Sequence, residues 1–199
     1  LHPLPGVEPG LDPRAVALGE KLYHDTRLSA DNSVSCASCH DLARGGCDRE
    51  RFSRGAHGER GEVNAPTTFN AVFLRALGWD GCAEDLEVLV AMPPPGRLER
   101  GADWAAISTR LAQDQDLSRE FRAVYPEGFS PPSVTHALAA YQRTLVTPGA
   151  RFDRYLLGET AALTLEEQRG YQHFRQWGCN TCHVGKVLGG QSFERMGRR

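Results

Sequence analysis

The chain has 199 residues, of which 40 % are hydrophobic and 24 % charged, and its formal net charge is −2. That balance is ordinary for a soluble globular protein and gives neither a basic field for nucleic acid nor an acidic tail. It has no run of about 18 apolar residues to span a membrane, and its start, "LHPLPGVEPG", lacks the charged region and apolar core of a signal peptide.

In chain order, "DPRAVALGEKLYHD" predicts a helix with Asp12 as cap and Pro13 in the first position, and Val16, Leu18, Leu22 and Tyr23 form an apolar stripe. "VSCASCHDLARGG" at 34–46 follows, with Cys36, Cys39 and His40. Residues 45–82 are rich in Gly, Arg, Asn and Asp and show neither helical nor strand period. "DWAAISTRLAQD" predicts a helix capped by Asp103, with Trp104, Ile107 and Leu111 on one face, and "DLSREFRAVY" a shorter one. "SPPSVTHALAAYQRTLV" opens on prolines and places Val134, Leu138, Tyr141 and Leu145 at helical spacing. "TLEEQRGYQHFRQWG" carries a capping box, Thr164 with Glu167, and Gly178 marks its end. The second cysteine pair, Cys179 and Cys182, comes next, followed by His183 in "GCNTCHVGKVLGG". No stretch alternates like a strand, so the expected class is mainly α, in two domains with long irregular loops. Each C-x-x-C-H follows an amphipathic helix, one unit used twice, with a boundary near "VTPGARFDRYLLGET". This divides the chain into 1–147 and 148–199, the latter the start of a second domain.

Three chemistries use a C-x-x-C pair. A zinc site needs two such pairs to meet and leaves both histidines idle. A redox dithiol follows a strand in a βαβ unit, which neither copy does. Covalent haem c uses every residue: the thiols add to the two vinyl groups and the adjacent imidazole becomes the axial ligand. Two copies in one short chain favour this reading and make the expected fold two cytochrome c-like haem domains with long irregular loops; haem c attachment implies a periplasmic or exported protein whose signal was removed earlier. Cys47 and Cys82 are then left over, either as a disulfide in an oxidising compartment or as two buried thiols. His24, His136 and His173 read as surface or packing histidines, and the arginines of "DRERFSRGAHGERG" as a solvated loop that could also neutralise haem propionates.

The stretches "LGEKLYHDTRLSADNSVSCASCHDLARGG", "RGEVNAPTTFNAVF", "GWDG", "ALAAYQRTLVTPGARFDRYLLGE" and "FRQWGCNTCHVGKVLGGQSFERMG" run nearly end to end, and in this order they resemble the bacterial di-haem cytochrome c peroxidases. The resemblance implies that Cys36, Cys39 and His40 hold a peroxide-reacting haem, and that Cys179, Cys182 and His183 hold an electron-receiving one. His57 matches the histidine that caps the peroxidatic iron at rest and is released when the other haem is reduced. Glu99, in "PPPGRLERGADW", matches the glutamate that moves a proton between the peroxide oxygens. Its neighbours Leu98 and Arg100 depart from the family's Pro-Val-Glu-Met-like pattern, and Pro95 replaces a polar residue, while the triple proline would stiffen the loop. Trp79 matches an aromatic between the haems that assists electron passage, with filling of the domain interface as the competing role. Asn64 matches a ligand of an interdomain calcium ion.

The expected reaction is reduction of hydrogen peroxide to water with electrons from a small periplasmic cytochrome c or a cupredoxin, in a protein open to homodimer formation. Two rivals stand beside it: a di-haem electron carrier without peroxide chemistry, and a family relative that oxidises a protein substrate. The chain stops at Arg199, 16 residues after His183, where family members continue and supply the second haem's far-side ligand, commonly methionine. The only methionines are Met92 and Met196, and Met196 reads as packing or a chain end.

Overall fold

A computed structural model describes residues 1–91, 104–189 and 191–193. Among these the regular structure is entirely helical, in eight α-helices and short 3₁₀ turns. Helix α1 is Pro13–Tyr23, α2 the single turn Cys36–Cys39, α3 Leu86–Ala91, α4 Trp104–Ala112 and α5 Gln115–Arg122. Helices α6 (Pro131–Thr144), α7 (Arg151–Leu156) and α8 (Leu165–Gln176) complete the set.

The helix starts follow from side-chain caps. The Asp12 carboxylate accepts the Arg14 N–H with Pro13 in the first turn, and Ser130 accepts the Ser133 N–H at 3.3 Å ahead of two prolines. Asp114 accepts the Leu117 N–H at 3.0 Å, and Thr164 and Glu167 satisfy each other's N–H groups. Each cap supplies an acceptor to a donor that the helix itself leaves unpaired. The helices α3 and α7 were not anticipated: each is only 6 residues long, too short for an apolar period to show. Helix α7 lies in the stretch expected to be a linker. Asp153 explains it, since its carboxylate accepts the N–H of Ala150 at 3.1 Å and, from the other end of the chain, that of Leu4 at 2.9 Å.

Helices α1 and α6 form the most extensive pairing among the described elements. Their backbones nearly touch at Gly19, where an added Cβ would stand 1.9 Å from the Ala137 carbonyl oxygen. Around this crossing Leu18, Leu22, Tyr23, Leu111, Phe121, Val134, Leu138 and Tyr141 form one buried cluster, each large apolar side chain contributing about 1.5–3 kcal/mol. The stripes expected for α1 and α6 are buried, except that Val16 is only partly so. On the other side of α6, Ala139 packs with Ala71, Leu77, Ala83 and Leu86. This roots the irregular stretch 45–82, which holds 3₁₀ turns and two isolated bridges, Arg54 with Arg60 and Leu77 with Ala83. The Arg143 guanidinium grips Glu87 through two bonds of 2.6 and 2.7 Å and fastens α3 to α6.

Replacing Gly19 by Ala should cost about 3 kcal/mol, because a methyl driven into a backbone carbonyl is relieved only by parting the two helices. Thermal unfolding checks this, and a melting temperature equal to wild type would contradict it. A second expectation concerns alkaline pH. Burial pushes the Tyr23 phenol far above the ordinary tyrosine range and that of Tyr125 up to about 12. The folded state thus holds both protons more tightly than the unfolded chain, so stability is complete below about pH 10 and falls as pH rises beyond it. Urea titrations across that range should show the decline, less steep in Tyr23→Phe; equal slopes in the two proteins would contradict it.

Candidate functional site

The first motif begins as the one-turn helix α2, where Cys36 and Cys39 stand three apart on one face. The His40 N–H closes the turn on the Cys36 carbonyl at 2.9 Å. The His40 ring turns into the loop, its Nδ1 3.0 Å from the Pro66 carbonyl oxygen and 3.3 Å from that of Gly46. Both neighbours can only accept, so Nδ1 carries the proton and Nε2 keeps its lone pair for a metal. The acceptors are held by local chemistry. Gly45 and Gly46 adopt φ of 81 and 75, and an added Cβ at Gly46 would lie 2.9 Å from the Thr67 hydroxyl. That hydroxyl donates to the Gly45 carbonyl at 2.7 Å, and the Thr68 N–H donates to that of Gly46 at 3.3 Å. From the core, the buried Tyr23 hydroxyl donates to the His40 carbonyl at 2.6 Å.

The second motif repeats this geometry on a different support. Gly178, at φ 75, ends α8, and Cys179–Thr181 form a 3₁₀ turn. The His183 N–H reaches the Cys179 carbonyl at 3.0 Å, and its Nδ1 lies 2.9 Å from the Leu188 carbonyl oxygen. Leu188 takes φ 57 to present that carbonyl, a conformation costly for a branched side chain. Helix α8 buries none of its residues, and Leu165, Trp177 and Phe193 are exposed. The segment after the motif touches the irregular loop: Gln191 donates to the Phe73 carbonyl at 3.4 Å, the Lys186 ammonium sits 4.9 Å from the Phe73 ring centre, and Phe193 fills the space beside Gly81.

A thiol pair one turn apart, followed by an imidazole whose Nδ1–H is anchored and whose Nε2 is available, fits a covalently attached haem with an axial histidine. Zinc would need four thiolates in one place, and among the described residues no group of three or more His, Cys, Asp or Glu converges. The two pairs therefore form two sites.

The structure distributes the other expected residues unevenly. Glu99 lies outside the described residues, as do Met92, Met196, Pro95 and the Asp103 cap. Trp79 and Asn64 are brought together: the indole N–H donates to the Asn64 backbone carbonyl at 3.0 Å. Trp79 is 63 % exposed. His57 sits in the Arg54–Arg60 loop beside the first motif, where the Cys39 thiol donates to the Arg54 carbonyl at 3.6 Å. His57 adopts φ 59 and ψ 14, and its ring is exposed. Cys47 and Cys82 are not paired in a disulfide: the Cys47 thiol donates to the Arg44 carbonyl and that of Cys82 to the Leu77 carbonyl. Asp80 beside it raises the Cys82 thiol above its usual range. His136 bonds Tyr125, His173 stacks on Trp177 and His24 packs against Tyr23.

Two contributors escaped the sequence reading. Tyr23 was read as an apolar stripe residue, and nothing in a helical pattern reveals where a hydroxyl ends. Asp31 gathers the Ser33 hydroxyl and N–H with the His57 N–H, donors that hold its carboxyl far below the ordinary carboxylate range, the Ser33 hydroxyl foremost. "DNS" before the first motif was the available signal, an Asp bonding the N–H two residues on.

Comparison with known proteins agrees with this geometry. Residues 13–161 match the sequence model of the di-haem cytochrome c peroxidase family. Cytochrome c peroxidase Ccp of Escherichia coli K12 is 44 % identical over 198 residues, covering 99 % of this chain and 42 % of that protein. Cytochrome c551 peroxidase of Nitrosomonas europaea is 36 % identical, covering 90 % of this chain and 54 % of its own length. The chain thus spans about half the length of these relatives. Among solved structures, a MauG-like protein associated with microbial copper homeostasis superposes with a TM-score of 0.79 at 29 % identity, over 98 % of this chain and 60 % of that one. The paired C-x-x-C-H turns and these matches lead to one conclusion: the chain belongs to the di-haem cytochrome c peroxidase family.

Proposed function

We propose that the chain binds two haem c groups covalently, one on Cys36 and Cys39 and one on Cys179 and Cys182, and that it works in the reduction of hydrogen peroxide to water. The carrying observation is the shared turn, with each histidine N–H on its first cysteine's carbonyl at 2.9 and 3.0 Å and each Nδ1 on a backbone carbonyl. Bound there, the two haems would supply one iron that meets peroxide and one that receives electrons. His40 and His183 would hold the two irons through Nε2, and their anchored Nδ1–H groups would fix the rings and raise the basicity of that nitrogen. His57 would be the far-side ligand of the first haem, given up on reduction of the second. Glu99 takes a proton from one peroxide oxygen and delivers it to the other, and two electrons with two protons complete the conversion to two waters.

Trp79 lies on a route between the motifs: His40 holds Pro66, Asn64 holds Trp79, and the Phe73–Gly81 loop holds the segment after His183. Residues 1–147 and 148–199 form the two haem-bearing parts in this reading. Calcium at Asn64 belongs to the same reading. Haem c attachment places the protein in the periplasm, with a small cytochrome c or a cupredoxin as donor.

The test is steady-state oxidation of a reduced small cytochrome c by peroxide after one haem is pre-reduced. Wild type should turn over, and Glu99→Gln should lose about 100-fold or more, the usual scale of acid–base catalysis. No turnover by either protein, with both haems still reducible, would contradict the peroxidase reading.

A further inference from the structure

Asp31 precedes the first motif by five positions and joins it to a loop 26 residues further on. Its Oδ1 accepts the Ser33 N–H at 3.0 Å and the Ser33 hydroxyl at 2.6 Å. Its Oδ2 accepts the backbone N–H of His57 at 2.6 Å, with Nδ1 of the same imidazole 3.6 Å away. The Arg54–Arg60 loop is closed on itself, the Gly55 N–H donating to the Glu59 carbonyl at 2.8 Å, so it can move as one piece. At its tip His57 occupies the left-handed region, which a histidine keeps only where its surroundings hold it. The Asp31 carboxylate ties this loop at the residue at its tip, and the Cys39 thiol makes a longer contact to the Arg54 carbonyl. Charge-assisted bonds of this length are the strong ones.

We propose that Asp31 is a positioning residue whose carboxylate holds the Arg54–Arg60 loop in the conformation that presents His57 to the first haem, so that release of His57 requires this tie to open. The inference rests on the reading of His57 as that haem's far-side ligand. Asp31 touches neither iron nor peroxide and acts through the His57 backbone.

The test compares the ferric haem-loaded protein with Asp31→Ala, Asp31→Asn and His57→Gly, the glycine preserving the backbone conformation at 57. Visible and electron paramagnetic resonance spectra read the spin state of the first haem, and hydrogen exchange reads the amide of residue 57. Wild type should be low-spin, and His57→Gly should turn the first haem high-spin. Asp31→Ala should raise the high-spin fraction and the exchange rate by at least about tenfold, the scale of a lost charge-assisted bond, and Asp31→Asn, with one acceptor oxygen left, should fall between. If His57→Gly converts the haem while both Asp31 variants keep the wild-type spectrum and exchange, the inference is overturned and the ligand reading survives. If His57→Gly leaves the spectrum unchanged, the ligand reading fails and the inference with it. Should Asp31→Ala lose its circular dichroism, Asp31→Asn decides, and a wild-type spectrum there overturns the inference.

Discussion

The approach of α1 to α6 at Gly19 is the constraint on which the first site depends. With no side chain at that position, the two backbones meet closely enough for Leu18, Leu22 and Tyr23 to enter one cluster with Val134, Leu138 and Tyr141. Tyr23 is thereby fixed with its ring buried and its hydroxyl directed at the His40 carbonyl. The opposite side of α6 roots the irregular stretch through Ala71, Leu77 and Ala83, and that stretch supplies the carbonyls that orient the His40 ring. A helical core therefore positions the His40 imidazole in a region with almost no regular structure of its own.

The two motifs solve one chemical problem with different support. In both, main-chain carbonyls hold the imidazole, so the ring is oriented without a second titratable group. The first motif is braced by the core; the second sits at the end of a helix that buries nothing and leans on the loop at Phe73 and Gly81. The loop that orients His40 through Pro66 also holds the Trp79 indole on Asn64 and meets the segment after His183 at Phe73 and Gly81.

What could be read from the sequence was what side chains announce. Asp12 with Pro13 and Thr164 with Glu167 mark helix starts because each places an acceptor on an otherwise unpaired N–H, the prolines at 131 and 132 mark a third, and the cysteine pairs with their histidines mark the two turns. What could not be read depends on the main chain: the carbonyls of Pro66, Gly46 and Leu188 carry no residue-type signal, and the left-handed turn at His57 is held by a residue far away in sequence. The short helices α3 and α7 are stabilised by tertiary ties, Glu87 to Arg143 and Asp153 to Leu4, which no local window contains. Cys47 and Cys82 show the limit of counting: an even number of spare cysteines fixes no pairing, and here both thiols are free.

The central claim is that the two histidine turns are equivalent haem attachment sites. Intact mass under denaturing conditions, measured on protein made alongside a haem c maturation system and on the variant with Cys179 and Cys182 both changed to Ala, tests it most directly. The account predicts a chain carrying two haems that survive denaturation, and one haem in the double variant. A wild-type chain that keeps no haem, or one that binds a metal through its four thiols instead, would contradict it.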